Sequence, residues 1–220
     1  MGFSRSLTTL LAVFVSAVSI GAQAPADAKS LATALQRRYD TVRDFSADFE
    51  HRYRGGVLRR ETVERGIVLI KKPGKMRWEY TAPERKLFVS NGERLYFYVP
   101  ADKQVTVSDV PEESAAPTPA LFLAGRGNLE RDFNVSLIDV PAGFAQGSRA
   151  LKLEPATPQA DYEWLVLVID GASLVLRGLV AVDAQGGTST FTFMGLEENI
   201  GPSDARFEFQ VPRGVDVVSN

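Results

Sequence analysis

The sequence predicts a mainly β protein with some α structure: one antiparallel sheet curled around an N-terminal helix as an unclosed barrel, or half-barrel. Three observations carry this. Residues 45–53 alternate strictly, with Phe45, Ala47, Phe49, His51 and Tyr53 on one side and Ser46, Asp48, Glu50 and Arg52 on the other, the period of a half-buried strand. Further strand-like segments follow at short intervals, joined by tight turns, which means antiparallel neighbours. A single long amphipathic helical segment precedes them. Many long strands with one such helix form a curved sheet wrapped over it.

That helix is expected over residues 28–43, where Leu31, Leu35, Tyr39 and Val42 recur at spacings of three and four and Arg37, Arg38 and Arg43 lie elsewhere. Ser30 is its expected N-cap, with Asp27 as competitor. Strands are expected at 45–53, 61–71, 75–80, 86–90 and 94–99. Gly55 and Gly56, Pro73 and Gly74, and Asn91 and Gly92 mark the turns between them. Later strands are expected at 150–154, 162–170, 174–183, 188–196 and 205–211. Residues 111–129 are different, acidic and proline-rich before Thr118-Pro119-Ala120-Leu121-Phe122-Leu123-Ala124-Gly125. Thr118 suits an N-cap, Pro119 the first helical position and Gly125 the stop. A short helix apolar on every side must be covered on every side. It is either a fixed plug in the open side of the sheet or a lid that moves.

The N-terminus has the organisation of an export signal. Arg5 precedes an apolar run over residues 7–20, and the small residues Gly21, Ala22 and Ala24 follow. The run, about 14 residues, is short for a membrane span. Cleavage is expected between 24 and 28, with 1–26 as signal peptide and 27–220 as the mature domain. The chain has 220 residues, 45% apolar and 24% charged, enough for one sizeable core. The formal charge of −2, without a basic stripe, argues against a nucleic-acid partner. The absence of cysteine excludes disulfides, thiolate metal sites and a lipidated cysteine anchor.

Enzyme signatures are missing. No nucleophile elbow, phosphate-binding loop, dinucleotide fingerprint or zinc-protease motif occurs. The single histidine, His51, lies on the apolar side of its strand and is expected to be structural. Neither catalysis, nor a metal, nor a cofactor is expected. The arginines at 52, 54, 59 and 60 read as a solvated hairpin, with contact to acidic head groups or a partner as the alternative. What remains is an apolar surplus. Met76, Trp78, Tyr80, Leu87, Phe88, Val89, Leu95, Tyr96, Phe97 and Tyr98 load both faces of their strands. The second face must meet a helix or border a ligand cavity.

The run Lys71-Lys72-Pro73-Gly74-Lys75-Met76-Arg77-Trp78-Glu79-Tyr80, then Pro83, resembles the outer-membrane lipoprotein carrier protein family. So do Asn91-Gly92 with Leu95-Tyr96-Phe97-Tyr98-Val99-Pro100, and Phe207-Glu208-Phe209 with Val211-Pro212-Arg213-Gly214-Val215-Asp216-Val217. Leu35, Gln36 and Tyr39 with Phe45, Ala47 and Phe49 match the family's start. The resemblance implies helices lidding an apolar cavity that binds acyl chains, with Phe45, Phe49, Met76, Trp78, Leu95, Tyr96 and Tyr98 as the expected lining. Leu121, Phe122 and Leu123 would form the lid. Lys72 stands where the family has a basic residue that hydrogen-bonds the lid. The implied role is a monomeric periplasmic carrier of Gram-negative bacteria, taking acylated lipoproteins from an inner-membrane ABC-type releasing complex to an outer-membrane receptor. A domain of the same fold that binds another lipid or amphiphile is the alternative.

Overall fold

The computed structural model describes residues 27–57, 60–110 and 119–219. The expected signal peptide and the acidic stretch before the short helix lie outside them. Helix α1, Ala28–Asp40, opens the described chain. Asp27, not Ser30, caps it: the Ser30 amide donates to Asp27 Oδ1 at 2.9 Å, because Asp27 sits three residues upstream of a free amide in extended backbone. The helix buries Leu31, Ala32 and Leu35.

The strands are β1 (Asp44–Arg54), β2 (Glu61–Lys71), β3 (Lys75–Ala82), β4 (Lys86–Asn91), β5 (Arg94–Val99), β6 (Gln104–Asp109), β7 (Phe133–Ile138), β8 (Ser148–Pro155), β9 (Trp164–Asp170), β10 (Leu176–Val182), β11 (Thr188–Glu198) and β12 (Asp216–Ser219). Two short helices, α2 (Pro119–Leu123) and α3 (Leu129–Asp132), lie between β6 and β7. All twelve strands form one sheet in the order β12-β6-β5-β4-β3-β2-β1-β11-β10-β9-β8-β7. Its edges, β12 and β7, do not pair with each other, so the barrel is unclosed. Every neighbouring pair is antiparallel except β12 with β6, which is parallel.

The register sorts side chains onto two faces, because directly opposed residues share a face. Phe45 opposes Ile70, which opposes Met76; Ala47 opposes Val68, which opposes Trp78. All six belong to the large inner core beneath α1, with Leu151, Leu153, Leu165, Leu167 and Leu179 from the other half of the sheet. The outer face is covered in two places. Phe144 and Val140 pack over Val166, Val168 and Val180. Gly178 makes that approach possible, since a Cβ there would stand 2.3 Å from the Phe144 ring.

At the other end of the sheet the C-terminal segment covers the outer face. A strand was expected over 205–211; the chain instead makes a 3-10 turn, Asp204–Phe207, that buries Phe207 completely against β3 and β4. Phe209 follows, with its ring centroid 5.4 Å from that of Tyr96 and 5.6 Å from that of Tyr98. The chain then reaches the free edge of β6 and pairs with it as β12. A segment lying across a sheet cannot pair with its strands at the same time, and its apolar side chains decide in favour of the face. β6, β7 and β12 were not expected. They are short, and β12 is exposed throughout.

Candidate functional site

A cavity of about 360 Å³ opens between the inner face and α2. This lies in the range of about 300–1,000 Å³ typical of small-molecule sites. Its apolar wall is Trp78, Phe88, Phe97, Leu179, Ala181 and Phe191, with Ala120 of α2 alongside. Tyr80, Ser189, Glu64, Lys86 and Asp161 supply its polar groups. The aromatic part is one interlocked group. Phe49 sits edge-on to Trp78 and Tyr80, with centroids 5.2 and 5.0 Å away, and Trp78 sits edge-on to Phe191 at 5.3 Å. Offset and edge contacts of this kind are the favoured aromatic geometry.

The expected lining divides into four. Trp78 lines the cavity. Phe45, Phe49 and Met76 lie one layer deeper in the core, each at most 1% exposed. Leu95 shares the inner face, opposing Ser90 as Ser90 opposes Met76, but does not border the cavity. Tyr96 and Tyr98 are corrected: both point to the outer face, against Phe209. Phe97 takes the place expected of them, opposing Phe88, which opposes Trp78. The second apolar face therefore meets the C-terminal segment. Phe88 and Phe97 were findable from the hairpin itself. Any two-residue loop near Asn91 and Gly92 sets an odd-numbered residue opposite Phe88, which excludes Tyr96 and Tyr98.

His51 is held within this layer. Its ring stacks on Phe191 at 4.2 Å, and Nδ1 faces Glu64 Oε2 at 3.3 Å. Burial pulls its pKa below the ordinary imidazole value, with the Glu64 carboxylate opposing in part. Glu64 also accepts from Lys86. Burial pushes the Tyr80 hydroxyl above its ordinary range. These groups put ionic and hydrogen-bonding chemistry at one end of an otherwise apolar cavity.

The short helix α2 turns Ala120 toward the cavity and buries its other described side chains. Phe122, Leu123 and Ala124 are 5%, 1% and 0% exposed. Phe122 sits edge-on to Phe133 at 5.8 Å. Thr118 and the Leu121 side chain lie outside the described residues. Gly125, with φ +80°, ends the helix as expected. A small void of about 20 Å³ remains under α1 and α2, among Leu35, Val42, Phe45 and Leu123.

The connection to Lys72 differs from the expected one. Its ammonium does not donate to a carbonyl of α2. It donates to the Tyr39 carbonyl at the end of α1, at 2.5 Å, and lies 3.2 Å from the centroid of the Tyr39 ring. The Tyr39 hydroxyl donates to the Leu123 carbonyl, and the Gly74 amide donates to the Ala124 carbonyl at 2.9 Å. The stem of Lys72 packs against Gly125, where a Cβ would stand 2.7 Å from Lys72 Cδ. Two donors thus hold the end of α2, and Lys72 holds one of them, Tyr39. Lysine reaches a point acceptor and a ring face at once, whereas it lacks the planar fork that would span two carbonyls.

Burial lowers the Lys72 pKa to about 8, with Asp40 and Glu198 opposing. Between pH 8 and the unfolded value near 10.5, the folded chain has released a proton that the unfolded chain keeps. Stability from this group therefore rises with pH in that window. The stability difference between the parent and Lys72→Met is expected to grow in the parent's favour from about pH 8 to about pH 9.5. Urea unfolding at several pH values checks it, and a flat difference would mean that Lys72 titrates as an exposed lysine does.

Comparison with known proteins agrees with this architecture. The family model described as "Outer membrane lipoprotein carrier protein LolA" matches residues 40–210. An outer-membrane lipoprotein carrier protein from Chromohalobacter salexigens is 30% identical over 188 residues, covering 85% of this chain and 86% of the relative. Its counterpart from Nitrosomonas europaea is 33% identical over 154 residues, covering 70% of this chain and 71% of the relative. A crystal structure of an uncharacterized conserved protein from Thermus thermophilus superposes with a TM-score of 0.52 at 14% identity, over 86% of this chain and 99% of that one; it shows the fold. On its twelve-stranded unclosed sheet, the one buried face of α1 and the match over residues 40–210, the chain belongs to the LolA family of outer membrane lipoprotein carrier proteins.

Proposed function

We propose that this protein is a periplasmic carrier that shields the acyl chains of lipoproteins between an inner-membrane releasing complex of the ABC type and a receptor at the outer membrane. Residues 1–26 serve as its export signal. The observation that supports this best is the apolar cavity beside α2, in a chain of the carrier family. Burying a methylene is worth about 0.8 kcal/mol, so an acyl chain of ordinary length costs on the order of 10 kcal/mol in water. Such cargo needs cover in an aqueous compartment, and a cover that gripped with that full energy would not let go. α2 resolves the conflict. Entry of cargo displaces Phe122 and Leu123 from their buried positions, and their return favours release. Each such side chain is worth about 1.5–3 kcal/mol of burial.

A carrier of this kind turns over no substrate. His51 fits that reading, being stacked on Phe191 and directed at Glu64. The experiment follows the two tryptophans, Trp78 in the cavity wall and Trp164 on the outer face. With Trp164→Phe in place, the remaining fluorescence is expected to change on adding an acylated lipopeptide and to stay constant with the deacylated peptide. Equal responses would remove the acyl-binding role. A larger response to free lipid than to lipopeptide would favour a carrier of another amphiphile.

A further inference from the structure

The β1–β2 hairpin has a character that the carrier reading does not use. Along its stem the arginines are matched to carboxylates: Arg52 to Glu50 and Glu61, and Arg65 to Glu50. At its tip the matching stops. Arg54 and Arg60 are exposed and neither forms an ion pair with a described residue. Val57, at the apex, is 84% exposed, against 37–55% for the other exposed large apolar residues. Leu58 and Arg59 follow it in the sequence, and residues 51–60 contain no acid. Tyr53, just below, is 37% exposed. An exposed valine or an exposed arginine alone is ordinary. An apolar apex flanked by guanidiniums that pair with no described acid, with a tyrosine at its base, is the composition of a surface that enters a membrane interface.

Two further facts give the tip a direction. Ser189, which borders the cavity, pairs directly with Tyr53, and Glu64, on the same cavity, pairs with His51. The polar end of the cavity therefore lies a few residues from the apex. The tip is also braced. Gly56 lies on the backbone of the β10–β11 turn, where a Cβ would stand 1.9 Å from the Gln185 carbonyl oxygen. The acid of that turn, Asp183, accepts the Gln185 and Gly187 amides on Oδ1 at 2.9 and 2.7 Å and forms no ion pair with Arg54 or Arg60 among the described residues. In a chain with a formal charge of −2, one basic apex also orients the whole molecule in the field of an anionic surface.

We propose that the β1–β2 tip is a contact site for an anionic lipid bilayer, seating Val57 in the interface and Arg54 and Arg60 on the phosphates, so that the polar end of the cavity faces the membrane. Its purpose rests on the carrier reading; the contact itself does not. Each arginine near an anionic surface strengthens binding roughly fivefold, so Arg54→Gln with Arg60→Gln is expected to weaken it about 25-fold. Val57→Ser weakens it several-fold more.

The test is flotation of the full mature protein with vesicles of phosphatidylglycerol and phosphatidylethanolamine, and with vesicles of phosphatidylcholine alone. The parent is expected to float with the anionic vesicles and not with the neutral ones, less so as salt shortens the screening length. Arg54→Gln/Arg60→Gln is expected to remain in solution with an unchanged Tm and an unchanged Trp78 response to lipopeptide. Equal flotation of parent and double variant, or equal flotation with both lipids, would overturn the proposal. A parent that floats but shows no lipopeptide response would count against the carrier reading and leave the membrane contact standing.

Discussion

Phe49→Ala is expected to lower the unfolding free energy by about 3–5 kcal/mol, the cost typical of removing a large ring from a close-packed core. Phe49 is 1% exposed and stands at the centre of the aromatic group, touching Trp78, Tyr80 and Phe191. It opposes Gly66 on β2, where a Cβ would come within 2.8 Å of the Phe49 ring, so the ring fills the space that the glycine leaves. No neighbouring main chain can close over the hole, because β1 is paired on both sides, to β2 and β11. In a domain of this size a loss of that magnitude lowers Tm by roughly 6–20 °C. Thermal unfolding followed by circular dichroism reads it directly. A Tm within about 2 °C of the parent would show that the aromatic layer is loosely packed and that the cavity wall has no rigid backing.

The second large effect separates the two faces of β5. Phe97→Asp is expected to weaken lipopeptide binding roughly 10- to 100-fold, from the loss of about 1.5–3 kcal/mol of aromatic burial against the acyl chain. Phe97 is 39% exposed, so the carboxylate stays hydrated in the free protein and folding is preserved. Tyr96→Asp does the reverse. It removes the ring packed on Phe209 and places a charge between the sheet and the C-terminal segment. Its expected cost is about 1–3 kcal/mol of stability, with affinity per folded molecule unchanged. Titration of both variants with one lipopeptide, alongside urea unfolding, decides. If Tyr96→Asp lost affinity and Phe97→Asp did not, the faces assigned to β5 would be reversed.

The local patterns in the sequence were enough for most of the fold. Alternation over residues 45–53 is visible as β1 because Phe45, Ala47 and Phe49 enter one continuous core and His51 and Tyr53 extend the same face toward the hairpin tip. Glycines and prolines at the turns mark β2 to β5 to within two residues, since those positions require conformations that few residues adopt. Gly125 likewise stops α2, with its positive φ and Lys72 too close for a Cβ. The family was legible for the same reason: its motifs lie at turns and strand pairs, where short-range geometry dictates residue type.

What only the tertiary structure decided depends on contacts between residues far apart in the chain. The apolar surplus on β3 to β5 shows in the sequence, but its partner is a segment some hundred residues later. Phe207 and Phe209 give up strand pairing to cover the outer face, and they supply the partner for Tyr96 and Tyr98, which the hairpin register turns to that face. The fixing of α2 is decided in the same way. Lys72 precedes the right proline, yet its ammonium takes the Tyr39 carbonyl, and the bonds to α2 come from the Tyr39 hydroxyl and the Gly74 amide. A sequence shows which side chains can donate. Which acceptor each one reaches is set by where burial places the helices, and burial is a property of the whole chain at once.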